Sequence, residues 1–147
     1  MKIAIALIGG RARPEFEVLA EMYLGRMGAY AEAEAPVYKS EEALFEVTEK
    51  QRGRVAALLV LMDGRGKQMS SEQLAEWLGK RRDEGQQRIV FAIGPANGWS
   101  EGARTRAGLL LSLGQMTLAH ELAKVVLCEQ VYRAFTILAG HPYHRGG

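Results

Sequence analysis

The sequence predicts an α/β fold in which a mostly parallel sheet is flanked by helices. Short apolar runs of strand length alternate along the chain with segments whose apolar residues recur at helical spacing. These runs are apolar throughout, as expected of strands buried on both faces of a parallel sheet. The 147 residues, 48% hydrophobic and 24% charged, suit one globular domain spanning residues 1–147.

The first part of the chain predicts two strands and two helices. Lys2 to Ile8 is an apolar run ended by two glycines, which is typical of a buried strand and a turn. Pro14 can open the first helix, and Ala35 to Tyr38 predicts a weak second strand. A second helix is expected from an N-cap at Ser40 to about Arg52. The apolar residues at helical spacing in the first helix are Phe16, Leu19, Ala20, Tyr23 and Met27.

The second part repeats this strand, loop and helix order. Val55 to Met62 predicts the clearest strand, and the glycine-rich stretch 63–67 then predicts a turn with Lys67 in solvent. Ser70 and Gln73 have the spacing of a capping box at the start of the third helix.

The remaining elements follow the same alternation. Ile89 to Ile93 predicts a strand, Ser100 is expected to cap a short helix, and Leu109 to Leu113 predicts the last strand. A long apolar helix is expected from Ala119 to Leu138. Loops beyond the carboxyl ends of parallel strands gather at one edge of the sheet. We therefore predict one site from three glycine-bearing loops, at 62–67, 94–98 and 113–118.

Several kinds of protein are disfavoured by the sequence. The glycines at 63–67 lack the spacing of a phosphate-binding loop, and no dinucleotide fingerprint follows the first strand. The histidines and the single cysteine do not have the spacing of a zinc site, so no metal is expected. Cys128 lies in an apolar helical run and is interpreted as a small core residue. No apolar run is long enough to span a membrane, which favours a cytoplasmic protein without a membrane partner.

The C-terminal part of the chain holds all three histidines, His120, His141 and His144. Arg133 lies four residues after Glu129, so it can form an ion pair on the last helix or bind an anion. The tail after that helix can pack on its own domain or take part in catalysis. The residues alone leave both alternatives open, and a net charge of +2 permits a nucleic-acid partner without requiring one.

Four blocks in order along the chain resemble the RlmH family of ribosomal RNA methyltransferases, which have the SPOUT fold. The first three are Asp63-x-x-Gly66-Lys67-x-x-Ser70-Ser71-Glu72, then Phe91-x-Ile93-Gly94 with Asn97-Gly98, and Leu111-Ser112-Leu113 through Met116-Thr117-Leu118-x-His120. The fourth is Glu129-Gln130-Val131-Tyr132-Arg133-Ala134-Phe135, closed by Pro142-Tyr143-His144-Arg145. The resemblance covers essentially the whole chain.

The resemblance implies a SPOUT-type α/β knot, in which the C-terminal segment passes through a loop as a trefoil knot. It also implies a homodimer that binds S-adenosylmethionine, needs no metal, and methylates N3 of a pseudouridine in 23S rRNA of the assembled ribosome, with no DNA partner. The implied cofactor-binding residues are Met62, Gly94, Leu113, Gly114, Gln115, Met116, Thr117 and Leu118. The alternative is a non-catalytic dimeric RNA-binding or ribosome-binding module of the same fold.

The implied chemistry requires an imide nitrogen to lose its proton before it attacks the methyl group. We expect His144 or His120 to handle that proton, Arg133 to stabilise the anionic base, and Tyr143 to position it or stack on it. In a dimer, the tail of one subunit can complete the site of the other. Three positions depart from the family's pattern, and they are expected to affect cofactor affinity and loop geometry: Pro95, Gly114 and Lys124.

Overall fold

A computed structural model describes residues 1–10, 13–49 and 56–145. The strands are β1 Lys2–Ile8, β2 Glu32–Glu34, β3 Val37–Tyr38, β4 Leu58–Gln68, β5 Arg88–Ile93 and β6 Leu109–Ser112. All the strand pairs seen among these residues are parallel, in the order β2-β1-β5-β4-β6, with β3 also pairing with β1. The helices are α1 Pro14–Met27, α2 Glu41–Glu49, α3 Ser71–Asp83, α4 Glu101–Arg106, α5 His120–Ala139 and a final 3-10 helix Pro142–Arg145. The predicted α/β class with a parallel sheet is confirmed.

Helices cover both faces of the sheet because successive residues of a strand point to opposite sides. In β1, Ile3, Ile5 and Leu7 face a core that α1, α3 and α5 complete. Ala4, Ala6 and Ile8 face a second core that includes Leu44 and Phe45 of α2 and Ala103 of α4. The burial of β1 and β5 on both faces explains why their sequences are apolar without alternation.

Local signals placed the starts of the helices correctly. Pro14 is the first residue of α1, and Ser40 Oγ accepts a hydrogen bond from the backbone N–H of Ala43. Ser70 and Gln73 form the predicted capping box, with each side chain bonded to the other's backbone N–H. Ser100 Oγ accepts from Ala103 N at 3.1 Å at the start of α4. The predicted helix end near Arg52 and strand start at Val55 lie outside the described residues.

Two strand predictions were wrong in extent. Of the expected strand at Ala35 to Tyr38, only Val37–Tyr38 forms a strand, β3, and β2 lies just before the predicted range at Glu32–Glu34. Pro36 between them has no N–H and contributes only its carbonyl, which accepts from Leu7 N at 3.0 Å. The stretch 63–67 is not a turn but continues β4, and a register shift after Met62 lets Lys67 pair with Leu111 of β6.

Gly66 makes the extension of β4 possible. A Cβ atom placed on this glycine would lie 2.6 Å from the carbonyl carbon of Leu110, so no larger residue fits without moving the backbone of β6.

The expected exposure of Lys67 is confirmed. The predicted passage of the C-terminal segment through a loop stays a prediction.

Candidate functional site

The three predicted loops meet around one cavity of about 490 Å³ at the carboxyl ends of β4, β5 and β6. A volume of this size is typical of a site for a small organic ligand. All eight positions predicted to bind a cofactor line it: Met62, Gly94, Leu113, Gly114, Gln115, Met116, Thr117 and Leu118. The predicted convergence of the loops is therefore confirmed, while the contact of these residues with a cofactor stays a prediction.

The lining combines apolar side chains with backbone that a ligand can approach. Met116 is 87% exposed and Leu113 is 37% exposed, so the third loop presents apolar surface that the described part of the chain leaves uncovered. Gly114 has a φ of 131°, a conformation that favours glycine, and its N–H is 3.1 Å from Ser112 Oγ. These features suit a ligand with a flat apolar part and polar edges.

One wall of the cavity is fixed by an ion pair that the sequence did not predict. Asp63 Oδ2 lies 3.1 Å from Arg104 Nε of α4, an ion pair whose angle falls short of a hydrogen bond. Asp63 Oδ1 accepts a hydrogen bond of 2.8 Å from the backbone N–H of Arg65. The side chain of Asp63 is 9% exposed, so both interactions act with little competition from water. They hold the start of the β4 extension against α4.

Trp99 is a second residue that the sequence analysis missed. Its indole Nε1 donates a hydrogen bond of 3.0 Å to the carbonyl oxygen of Met62, which joins the second loop to the first. The ring also packs on Gly94, where a Cβ would lie 2.7 Å from indole Cε2. The signal that could have revealed it is a tryptophan in a glycine-bearing loop, directly before a helix cap.

The structure places His120 beside the cofactor loops and not beside the tail. It is the first residue of α5, and its Nε2 donates to the carbonyl oxygen of Gly94. A carbonyl can only accept, so Nε2 carries the proton in this contact. Of the three predicted tail residues, Arg133 lies in the second half of α5, and Tyr143 and His144 lie beyond its end in the final 3-10 helix. The proposed catalytic role of His120 stays a prediction.

Glu129 joins the residues of the tail end into one network. Arg133 Nη2 and Nε lie 2.6 and 2.8 Å from Glu129 Oε1, which confirms the predicted ion pair. Tyr143 donates its hydroxyl proton to the same oxygen at 3.1 Å, and the Arg133 guanidinium lies 5.0 Å from the centre of the Tyr143 ring. The sequence analysis treated Glu129 as a partner of Arg133 and did not foresee this second contact.

The network alters the ionisation of its members. Burial, followed by the negative charge of Glu129, raises the pKa of Tyr143 to about 12. The hydrogen bond that Arg133 donates to Glu129 is the main cause of a raised pKa for Arg133. Tyr143 is therefore neutral and Arg133 positively charged at neutral pH, and an anion bound here would compete with Glu129 for the guanidinium.

The tail is tied to its own chain. His141 N donates to the carbonyl of Thr136 at 2.9 Å, and the ring of Tyr143 packs edge-on against Tyr132 with centroids 4.8 Å apart. His144 Nδ1 is shielded from solvent without a hydrogen-bond partner among the described residues. The tail therefore packs on its own domain in the single chain, and its predicted part in catalysis stays a prediction.

The two halves of the predicted site do not meet within one chain. The residues described around the cavity include neither Arg133 nor Tyr143 nor His144. Arg133 lies thirteen positions after His120 in α5, which corresponds to about 20 Å along a helix. A ligand in the cavity can therefore reach the tail residues only if they come from elsewhere, such as a second copy of the chain.

The structure also bears on the sequence predictions for metal binding, membrane-spanning helices and Cys128. Among residues 1–10, 13–49 and 56–145, no group of three or more histidine, cysteine, aspartate or glutamate side chains could hold a metal ion. Within the same ranges, no helix is long and apolar enough to cross a membrane. Cys128 is fully buried, as expected of a core residue, and burial raises the pKa of its thiol to about 12.

Comparison with known sequences gives matches over the full chain. The family described as predicted SPOUT methyltransferase matches residues 1–144. Proteins called ribosomal RNA large subunit methyltransferase H are 49% identical in Koribacter versatilis, with 99% of both chains covered, and 37% identical in Brucella anthropi, again with 99% of both covered. The protein of that name from a Geobacter species is 38% identical, with 98% of this chain and 99% of the relative covered.

Solved structures with little sequence identity share the fold. The SpoU methyltransferase AviRb from Streptomyces viridochromogenes, solved in complex with the cofactor AdoMet, has a TM-score of 0.51 and 11% identity over 90% of this chain and 57% of its own. A probable methylase family protein from Haemophilus influenzae has a TM-score of 0.59 and 14% identity over 94% of this chain and 66% of its own. The chain thus spans between about half and two thirds of each of these structures.

Proposed function

Because the chain belongs to the family of predicted SPOUT methyltransferases, we propose that it transfers a methyl group from S-adenosylmethionine to ribosomal RNA of the large subunit. The observation that carries this proposal is the cavity in which the three loops converge and which all eight expected cofactor positions line. The named relatives support the same activity and the same class of substrate.

The residues around the cavity fit this cofactor. Its adenosine needs apolar contact and nearby backbone polar groups, and the third loop offers both at Met116, Leu118 and Gly114. Its charged amino-acid end needs polar neighbours, and Asp63, Arg65 and Asn97 of the other two loops also line the cavity. When bound, S-adenosylmethionine supplies an electrophilic methyl group on a sulfonium centre.

The acceptor we propose is N3 of a pseudouridine in 23S rRNA of the assembled ribosome. An imide nitrogen must lose its proton before it attacks a methyl group, so the base carries developing negative charge. Arg133 would stabilise that charge, Tyr143 would stack on or position the base, and His144 or His120 would handle the proton. Among the described residues, His144 Nδ1 has no hydrogen-bond partner, which supports its place in this set because its hydrogen-bonding capacity is unused.

We also propose a homodimer in which the tail of one subunit completes the cavity of the other. The separation of tail and cavity along α5 supports this arrangement. On α1, Val18, Leu19 and Met22 are exposed by 66%, 43% and 38%, and Leu122 on the adjacent α5 is exposed by 39%. These side chains provide an apolar surface that a second copy can cover.

Further parts of the proposal concern the chain as a whole. Residues 1–147 would act as one domain, since both hydrophobic cores share the same sheet. The enzyme would work without a metal, on a substrate that places it in the cytoplasm with the ribosomes and involves neither DNA nor a membrane. The competing class is a non-catalytic dimer that binds RNA or the ribosome and has lost turnover through Pro95 and Gly114.

Calorimetric titration with S-adenosylmethionine separates the two classes. Saturable binding to the folded protein is expected, and a well-folded dimer that binds none would reject the enzyme. The second assay is transfer of labelled methyl groups to ribosomes that lack the modification. Arg133→Ala, His144→Ala and deletion after Gly140 should each abolish transfer while the protein stays folded, and Arg82→Ala on α3 is the matched arginine control. Undiminished transfer by the truncated chain would remove the tail from the mechanism.

A further inference from the structure

Two aromatic rings outside the expected set of cofactor residues donate hydrogen bonds to the backbone of the cavity. Trp99 Nε1 donates to the carbonyl of Met62, and His120 Nε2 donates to the carbonyl of Gly94. Both acceptors are positions expected to bind the cofactor: Met62 lies in β4 directly before its register shift, and Gly94 directly follows the neighbouring strand β5. The donors are 37 and 26 residues away in sequence, so these contacts exist only in the folded chain.

The carbonyl of Met62 lies where the strand pairing is irregular. The register between β4 and β6 shifts directly after Met62, so the regular ladder does not continue through this peptide. The Trp99 donor fixes the direction of the Met62 carbonyl, and because the peptide is planar it also fixes the N–H of Asp63. This N–H belongs to a residue that lines the cavity.

The Gly94 carbonyl is also held in place by a ring donor, although it lies outside the strand pairing. The peptide between Gly94 and Pro95 has no N–H, so its carbonyl is its only polar group. The donor from His120 satisfies that acceptor and holds the second loop against the first residue of α5. The third loop enters this same end of α5, so His120 links the second and third loops.

The two contacts meet at Gly94. The buried Trp99 ring packs on this glycine so closely that a Cβ there would lie 2.7 Å from Cε2 and 2.8 Å from Nε1. His120 holds the carbonyl of the same residue. Each of the three loops is thus bonded, directly or through α5, to the next.

We propose that Trp99 and His120 are positioning residues that hold the three loops in their binding shape before S-adenosylmethionine arrives. The inference rests on the proposed function and assigns His120 a role in cofactor binding instead of proton transfer. Loops that are already ordered lose less conformational entropy on binding, so the two rings act by raising affinity for the cofactor. They leave the rate of the chemical step largely unchanged, because neither needs to touch the reacting atoms.

The first test measures hydrogen exchange of the unliganded protein in Trp99→Phe and His120→Leu. Each substitution puts an apolar side chain in place of the ring that donates the N–H. Amides in residues 62–66, 94–98 and 113–118 should exchange about tenfold faster than in the parent protein, as expected for the loss of a hydrogen bond that restrains a loop. Trp77→Phe is the matched control. Trp77 lies in α3, where it contacts Phe91 of β5 and Arg81 of its own helix, and it is not among the residues that line the cavity. Unchanged exchange in both variants would overturn the proposal.

The second test separates cofactor binding from chemistry. The Kd for S-adenosylmethionine should rise about tenfold in Trp99→Phe and in His120→Leu, and the loss of activity at low cofactor concentration should exceed any loss of kcat at saturating cofactor. His120→Gln keeps an N–H donor and should recover most of the affinity. A collapse of kcat in His120→Leu with unchanged Kd would show that His120 handles the proton, against the proposal. A parent protein that binds no S-adenosylmethionine would defeat the proposed function, and the exchange experiment would still decide whether the rings order the loops.

Discussion

Gly66 and Gly64 lie two residues apart in β4, and the structure predicts opposite effects for the same substitution at the two positions. A Cβ at Gly66 would lie 2.6 Å from Leu110 C and 2.7 Å from both Leu110 O and Leu111 N. A Cβ at Gly64 would meet nothing within 4 Å, and its φ is not positive. Gly66→Ala therefore tests the close approach of β4 to β6, and Gly64→Ala controls for the loss of a glycine.

The size of the effect follows from what must move. An ordinary contact begins near 3.4 Å, so the backbone of Leu110 or of β4 has to retreat by about 0.8 Å. Overpacking of this kind costs about 1–3 kcal/mol, and separating the paired ends of β4 and β6 weakens one or two hydrogen bonds worth about 1 kcal/mol each. We expect Gly66→Ala to lower the free energy of unfolding by about 3 kcal/mol. Gly64→Ala should raise it by about 0.4–1 kcal/mol, because alanine restricts the unfolded chain.

Urea and thermal unfolding measure both effects. For a chain of this length, 3 kcal/mol corresponds to a fall in Tm of roughly 6–12 °C. The affinity for S-adenosylmethionine should fall with it in Gly66→Ala, since Met62 to Arg65 form a wall of the cavity next to the disturbed pairing. Equal midpoints for the two alanine variants would refute the reasoning, because they would show that β6 does not approach Gly66 as the structure has it.

Three further predictions concern ionisation and assembly. Glu129→Gln should move the pKa of Tyr143 down from about 12 towards its ordinary value, because the substitution removes a neighbouring negative charge. Tyrosinate absorbance against pH measures this shift. An unchanged pKa of Tyr143 would count against its contact with Glu129. Burial raises the pKa of the Cys128 thiol from 9.0 to about 12, so the contribution of this thiol to stability is complete below pH 9 and is lost as the pH rises through about 12. Cys128→Ala should therefore reduce the loss of unfolding free energy at alkaline pH. An unchanged dependence of unfolding free energy on pH would contradict this. Val18→Lys combined with Met22→Lys should convert the proposed dimer into monomers in light scattering without unfolding them, and a dimer of unchanged stability would place the interface elsewhere.

The sequence predicted the elements of this fold where the signals are local. Pro14 opens α1, and the Ser70 and Gln73 capping box opens α3, because a helix start depends on residues within one turn. The end of β4 could not be predicted in the same way. Its extension depends on the backbone of β6, about forty residues later, and glycine-rich sequence between two elements is as typical of a turn as of a close approach.

The same distinction applies to the site. The convergence of the three loops was predictable, since parallel strands bring their carboxyl ends to one edge. The residues that hold the loops were not, because Trp99 meets Met62, His120 meets Gly94, and Arg104 meets Asp63 only through the register of the sheet. The sequence also left open whether cavity and tail meet within one chain or across a dimer, because it gives the order of these residues but not the direction of α5.

The length of α5 has a consequence for how the enzyme would respond to its own concentration. The helix has twenty residues, or about 30 Å, with the cavity at its start and the Arg133 network in its second half. If two chains are needed to join these parts, an isolated chain can hold the methyl donor but cannot use it. We expect the donor-bound fraction to be independent of protein concentration, while the specific activity falls as the sample is diluted below the dissociation constant of the pair. A cell that makes little of this protein would then regulate rRNA methylation by subunit pairing, before any ribosome is met.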